Sequence, residues 1–320
     1  MSPTPDLLGR RLLVVTGKGG VGKTTVTAAT ALLAAEQGKR VLVVEVDAKG
    51  NLTDFFEHRP VGFDPVEVHP GVHVMSMDTE SSLREYLKLN LKVPVLGRIG
   101  PVARAFDFVA NAAPGVKEIL TVGKITWEVR EAIERGKWDL VVVDAAATGH
   151  IVAQLGAPDT IRELVSVGVV RHQTDWMVEL LSDPAITALN VVATPEEMPV
   201  NETIELIGKV RSELSVPLGA VIVNRVLPEL FTRDEEASFE ALREREPAAV
   251  LAEHVGDGAP IVLDGARLAV TLRRTRATHL QRLRESVDLP LMYLPFLFVR
   301  THGMRVTRML AESLGEELGL

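Results

Sequence analysis

Nine residues, Gly17 to Thr25, read GKGGVGKTT. Their types and spacing suit one task, the grip of a polyphosphate. Gly17, Gly19, Gly20 and Gly22 let backbone N–H groups turn inward and approach an anion closely, with Val21 and Thr25 completing the loop. Lys23 is placed to reach the β and γ phosphates, and the Thr24 hydroxyl to ligate Mg²⁺. Lys18 is a second lysine, which an ordinary phosphate loop does not need. It is either a charge meant for phosphates or a solvated side chain. Two aspartates follow apolar runs downstream. Asp47 closes VLVVEVD and could orient or deprotonate an attacking water; a strand-ending aspartate is equally a helix N-cap. Asp144 closes LVVVD, the arrangement that holds Mg²⁺ through water. Thr148-Gly149 just beyond it could sense a γ phosphate through the backbone.

These residues need a scaffold that brings strand ends together. Leu12 to Val15 predicts a buried strand and Val26 to Gln37 an Ala-rich helix, so the glycine loop sits between strand and helix with the helix N-terminus aimed at the anion. Further strands are predicted at Val41 to Val46, Val72 to Met77, Leu140 to Val143, Leu189 to Ala193, Ala220 to Val223 and Leu291 to Leu294. A helix is expected over Asn201 to Leu214. The fold class is α/β: a phosphate-loop NTPase with a mostly parallel sheet of about seven or eight strands, helices on both faces, and ligands beyond the carboxyl ends of the strands.

One domain is expected over residues 1–320, with a helical insertion at about 80–135 and a second helical segment at about 231–285. The insertion is rich in apolar residues, among them Leu89, Val93, Leu96, Ile99, Phe106 and Phe108. It either packs on the sheet or forms a groove for a client. The basic stretch from Arg267 to Arg284 reads as a solvated helix offset by glutamates. The last helix, with Val306, Met309, Leu310, Leu314 and Leu318, carries an acidic polar face and is expected to dock on the core. His69 and His73 are read as solvated.

Composition narrows the classes. The 320 residues are 46% apolar, 24% charged and 4% aromatic, with a net charge of −8. That is a globular protein with no general attraction to nucleic acid or anionic lipid. Cysteine is absent, which excludes disulfides, thiolate metal sites and cysteine nucleophiles. Residues 1–10 lack a signal-peptide core, and the longest strongly apolar run, Leu289 to Val299, is too short to span a bilayer, so direct insertion in a membrane is not expected and the cytoplasm is the expected location.

Taken together the motifs resemble those of the arsenite-pump and tail-anchored-protein-targeting ATPases, the ArsA-like family with a deviant Walker A loop. The resemblance rests on KGGVGKTT (18–25), DAKGNLTD (47–54) and DAAATGH (144–150). ATPEEMPVNET (193–203), VIVNR (221–225) and LPFLFVR (294–300) are softer matches. It implies ATP and Mg²⁺ as ligands, with Thr24, Asp47 and Asp144 on the metal side. Asp47, Lys18 and Lys23 are the implied catalytic groups, Lys18 acting across a subunit interface. Asn224, Arg225, Pro295, Phe296 and Phe298 are implied around adenine. The implied assembly is a homodimer, or a heterodimer with a paralogous ATPase. A membrane-protein client with hydrolysis as a timer is the alternative role, ahead of an anion-efflux subunit or a Min- or Par-type positioning ATPase. Ala145 and Ala147 stand where the family's second switch has Thr and Pro. Ala48, Lys49 and Gly50 stand where its first switch has Pro, Ala and His.

Overall fold

The computed structural model describes residues 7–46, 52–91, 115–229, 231–242, 244–256, 258–299 and 303–320. Strands β1 (Leu12–Gly17), β2 (Val41–Glu45), β3 (Val66–His69), β4 (Val72–Ser76), β5 (Leu140–Ala147), β6 (Thr187–Ala193), β7 (Leu218–Val226) and β8 (Leu291–Pro295) form one sheet. Its order is β3-β4-β2-β5-β1-β6-β7-β8. The neighbours pair in parallel except β3, which runs antiparallel to β4 at the edge. Chain order reverses direction around β1, between β5 and β6. That is the switch point at which the carboxyl ends of an open parallel sheet leave a crevice.

The central strands are apolar on both faces because helices cover both. On β1, Leu13 and Val15 enter one core and Leu12 and Val14 the other; Val41 and Val43 on β2, and Leu140 and Val142 on β5, repeat the alternation. The first face is covered by α1 (Lys23–Glu36) and α10 (Met304–Leu318). Every residue of α1 from Val26 to Ala34 is buried. A helix apolar all round must be enclosed, and α1 lies between the sheet and α10, whose Leu310, Ala311 and Leu314 are buried. The expectation of core docking for that last helix holds. Each such leucine contributes about 1.5–3 kcal/mol.

The second face carries α3 (Val116–Arg135), α4 (Thr148–Leu164), α5 (Val169–Ser182), α6 (Glu197–Glu213) and the C-terminal end of α9 (Ala259–Ser286), with α2 (Thr79–Leu91) against α3. The second helical segment resolves into α7 (Arg233–Leu242), α8 (Arg245–Val255) and α9. Arg273, Arg274 and Arg276 of α9 pair with Glu229, Glu236 and Glu196, in keeping with a helix offset by glutamates.

Two readings are corrected. Helix α6 begins at Glu197, four residues earlier than expected, because Pro199 falls within the first turn, where a missing N–H costs nothing. His73 is not solvated: its ring lies 4.9 Å from that of Trp138, and its Nδ1 is buried. Strand β3 is an addition. Of the insertion residues named above, Val93, Leu96, Ile99, Phe106 and Phe108 lie outside the described residues.

Candidate functional site

Strand β1 delivers the loop. Gly17 pairs with Val192 of β6 on one side and Ala147 of β5 on the other. Its φ is +152, and a Cβ there would sit 2.2 Å from the Val192 carbonyl oxygen, so only glycine closes this strand. The Thr16 hydroxyl donates to the Ala146 carbonyl at 2.8 Å, fixing β1 against the segment after Asp144. Gly22 is left-handed at φ +95 and a Cβ would lie 2.3 Å from Asn224 Nδ2. Helix α1 then starts at Lys23 with no side chain capping its N-terminus, leaving its first N–H groups directed at the loop's mouth.

The hydroxyl of Thr24 donates to Asp144 Oδ2 at 2.7 Å. Asp144 is 7% exposed and stands in register with Val15 of β1 and Glu45 of β2. A hydroxyl and a carboxylate side by side at the start of α1 are hard oxygen donors of the kind a small divalent cation takes. Lys23 folds back over the loop, its ammonium donating to the Lys18 carbonyl at 3.4 Å. Lys18 turns away and forms an ion pair with Glu202 of α6. The other Glu202 oxygen accepts from the Thr148 hydroxyl at 3.3 Å.

Asp47 and Asn51 lie outside the described residues. Their flanks are described. The backbone N–H of Val46 donates to the Asp144 carbonyl at 3.1 Å, and Glu45, 3% exposed, accepts from Ser76 Oγ at 2.8 Å and from the Leu52 N–H at 3.4 Å. One buried carboxylate therefore ties the chain just after 47–51, and β4, to the end of the strand next to Asp144.

Of the residues carried over for adenine, Asn224 is tied to the loop: Nδ2 donates to the Val21 carbonyl and Oδ1 accepts the Arg225 N–H, both at 2.9 Å. Arg225 takes a left-handed φ of 60. Phe296 hydrogen-bonds through its N–H to Val226, bringing the turn after β8 beside the end of β7. Phe296 and Phe298 meet edge to face at 4.9 Å, and Phe298 is 72% exposed, leaving an aromatic face free to stack. Pro295 ends β8 opposite Val226. Sequence reasoning singles out neither Glu45 nor Glu202. The first carries a signal, a carboxylate inside an otherwise apolar strand; the second carries none.

A cavity of about 470 Å³ lies apart from this crevice, in the helical layer, with Leu83, Ile119, Leu120, Trp127, Ile161 and Trp176 among its walls. Among the described residues no group of three or more His, Asp or Glu is placed to hold a metal by itself, and no helix is long and apolar enough to cross a membrane.

Comparison with known proteins agrees with this geometry. The profile of the family described as anion-transporting ATPase matches residues 10–175 and 164–253. The chain is 34% identical over 230 residues to the ATPase BagA of Mycobacterium tuberculosis, covering 69% of this chain and 67% of that one. It is 29% identical over 259 residues to the arsenical pump-driving ATPase of Acidiphilium multivorum, covering 74% of this chain and 43% of that one. An arsenical pump-driving ATPase of Escherichia coli is 28% identical over 267 residues, with 77% and 44% covered. The chain thus spans less than half the length of these pump ATPases. With the phosphate loop at a sheet switch point and a strand-ending carboxylate on its threonine, the protein belongs to the anion-transporting, ArsA-like family of P-loop ATP hydrolases.

Proposed function

We propose that this ATPase works as a Mg²⁺-dependent dimer gated by nucleotide, its second subunit being an identical or a paralogous chain. The observation that carries the reading is the division of labour between the two loop lysines. Lys23 lies over its own loop, whereas Lys18 points out of it to Glu202. A lysine that does not serve its own phosphates is available to those of a neighbour. Gly19, Gly20, Gly22 and Lys23 cradle the triphosphate, and the end of α1 adds its N–H groups. Thr24 and, through water, Asp144 would hold Mg²⁺, which would supply positive charge against that developing on the transferred phosphoryl group. Asp47 orients the attacking water; Glu45, two residues before it, supports this role by holding Leu52, beyond it, to the end of β2. Phe296 and Phe298 offer the base an apolar wall, and Asn224 keeps β7, on which Phe296 hydrogen-bonds, in contact with the loop. The cycle runs in the cytoplasm.

The test is ATP turnover per subunit against protein concentration, with Lys18→Ala and Asp47→Asn beside the wild type. Turnover should rise with concentration as dimers form and fall sharply in both variants. Constant turnover from a species that stays monomeric by light scattering would remove the dimer.

The apolar cavity favours a second role for the same cycle, in which hydrolysis times the holding of an apolar client such as a membrane protein. Leu120→Glu and Trp127→Glu would then abolish client co-purification while leaving client-free turnover intact. Unchanged co-purification would dismiss the client.

A further inference from the structure

Lys18 is engaged within its own chain. Its ammonium pairs with Glu202, which sits in the second turn of α6, and the same carboxylate accepts from Thr148, the first residue of α4. Three separate parts of the site meet on one side chain: the phosphate loop, the segment that follows Asp144, and α6. The Lys18 side chain is 25% exposed and that of Glu202 33%. The pair is partly shielded and still open to an incoming charge.

We propose that Glu202 is a positioning residue that retains Lys18 within the single chain and releases it only in exchange for a partner's triphosphate. The inference rests on the dimer reading above. An ammonium carries one charge and cannot stay on Glu202 while sitting on phosphates held by another subunit. Without a triphosphate the carboxylate keeps it. A triphosphate carries more negative charge than one carboxylate and outcompetes it at the same distance. Departure of Lys18 also frees the Glu202 carboxylate to shift against Thr148, so the exchange is felt at the start of α4, directly after the strand that carries Asp144. Glu202 thereby sets the protein concentration at which dimers close, and couples closure to the segment that senses the nucleotide.

Glu202→Gln is close to isosteric and keeps an acceptor for Thr148. The dimer dissociation constant is measured by sedimentation with a non-hydrolysable ATP analogue, alongside turnover against concentration. Each partly exposed pair opposes closure by about two- to five-fold. Two are broken per dimer, so the variant should dimerise at about 4- to 25-fold lower concentration. Glu202→Asp, which restores the charge, should move the value back toward wild type. In a Lys18→Ala background the Gln substitution should have no further effect, since its target is gone. An unchanged or higher concentration for Glu202→Gln, in a preparation whose wild type still dimerises with the analogue, overturns the inference and leaves the dimer standing. A wild type that never dimerises overturns both.

Discussion

Two glycines of the loop lie only two residues apart and should fail in opposite ways. At Gly17 an added methyl would stand 2.2 Å from the Val192 carbonyl oxygen and 3.1 Å from a Val21 methyl, at a φ of +152. The backbone oxygen belongs to the β1–β6 ladder, so relief requires the central strands to part. Forcing extra carbon into packed structure costs about 1–3 kcal/mol, and a side chain in a glycine-only backbone region costs about 1–3 kcal/mol more. Gly17→Ala should therefore lose about 2–6 kcal/mol of folding stability. At Gly19 a Cβ meets no described atom within 4 Å, and no positive φ is involved. Gly19→Ala should keep its stability within about 0.5 kcal/mol. Its methyl occupies the open side of the loop, where a phosphate has to approach, so ATP binding should weaken on the order of tenfold or more. Urea unfolding and ATP titration calorimetry on the two variants separate the outcomes. Gly19→Ala binding ATP as tightly as wild type would refute the reasoning, because the loop would then not enclose phosphate on that side. A Gly17→Ala protein as stable as wild type would refute the register.

Further predictions concern the surroundings. Asp144→Ala removes the partner of Thr24 and should cut turnover on the order of 10²–10³-fold, measured at saturating Mg²⁺. Asn224→Ala breaks the 2.9 Å bond to the Val21 carbonyl and should cost about 1–3 kcal/mol by chemical denaturation, with a raised KM for ATP. Glu128 of α3, its side chain 3% exposed, accepts from Lys124, Lys137 and Trp138. Burial alone would push its carboxyl up, yet the Lys124 charge and these donors outweigh it and hold the group below its ordinary 4.5. A depressed carboxylate contributes stability that is present above its unfolded value and lost as pH falls through the folded one. Glu128→Gln should thus cost about 3–5 kcal/mol near neutral pH and flatten the acid limb below about pH 4.5. An unaltered acid limb would show that other carboxylates govern it.

The parts of this fold most legible in the sequence are those whose burial is complete. Val41 to Val44 and Leu140 to Val143 are unbroken apolar runs because both faces of the sheet are covered, and the glycine loop is legible because few other structures need that spacing. The edge strand β3 is not, since Val66 and Glu67 are exposed and its V-E-V-H alternation is only four residues long. Helix α4 is hidden differently: it contains the glycines 149 and 156 and Pro158, signals that elsewhere break helices, but Gly149 falls in the first turn and Pro158 is buried in the helical layer. Glu202 cannot be told from a solvated helical glutamate by sequence, because its role depends on a lysine 184 residues away. Asp47 is legible from its place after β2, whose end the sheet brings beside Asp144.

Complementation between subunits tests the proposed dimer most directly. A chain carrying Lys18→Ala keeps its own phosphate cradle but cannot serve a neighbour; one carrying Lys23→Ala has a ruined cradle but still offers Lys18. Each alone should be inactive. In an equal mixture half of the dimers pair the two, each with one intact site, so turnover should recover to about a quarter of the wild-type value. A Lys18→Ala protein fully active alone, or mixed dimers that form and stay inactive, would contradict a lysine that works across the interface.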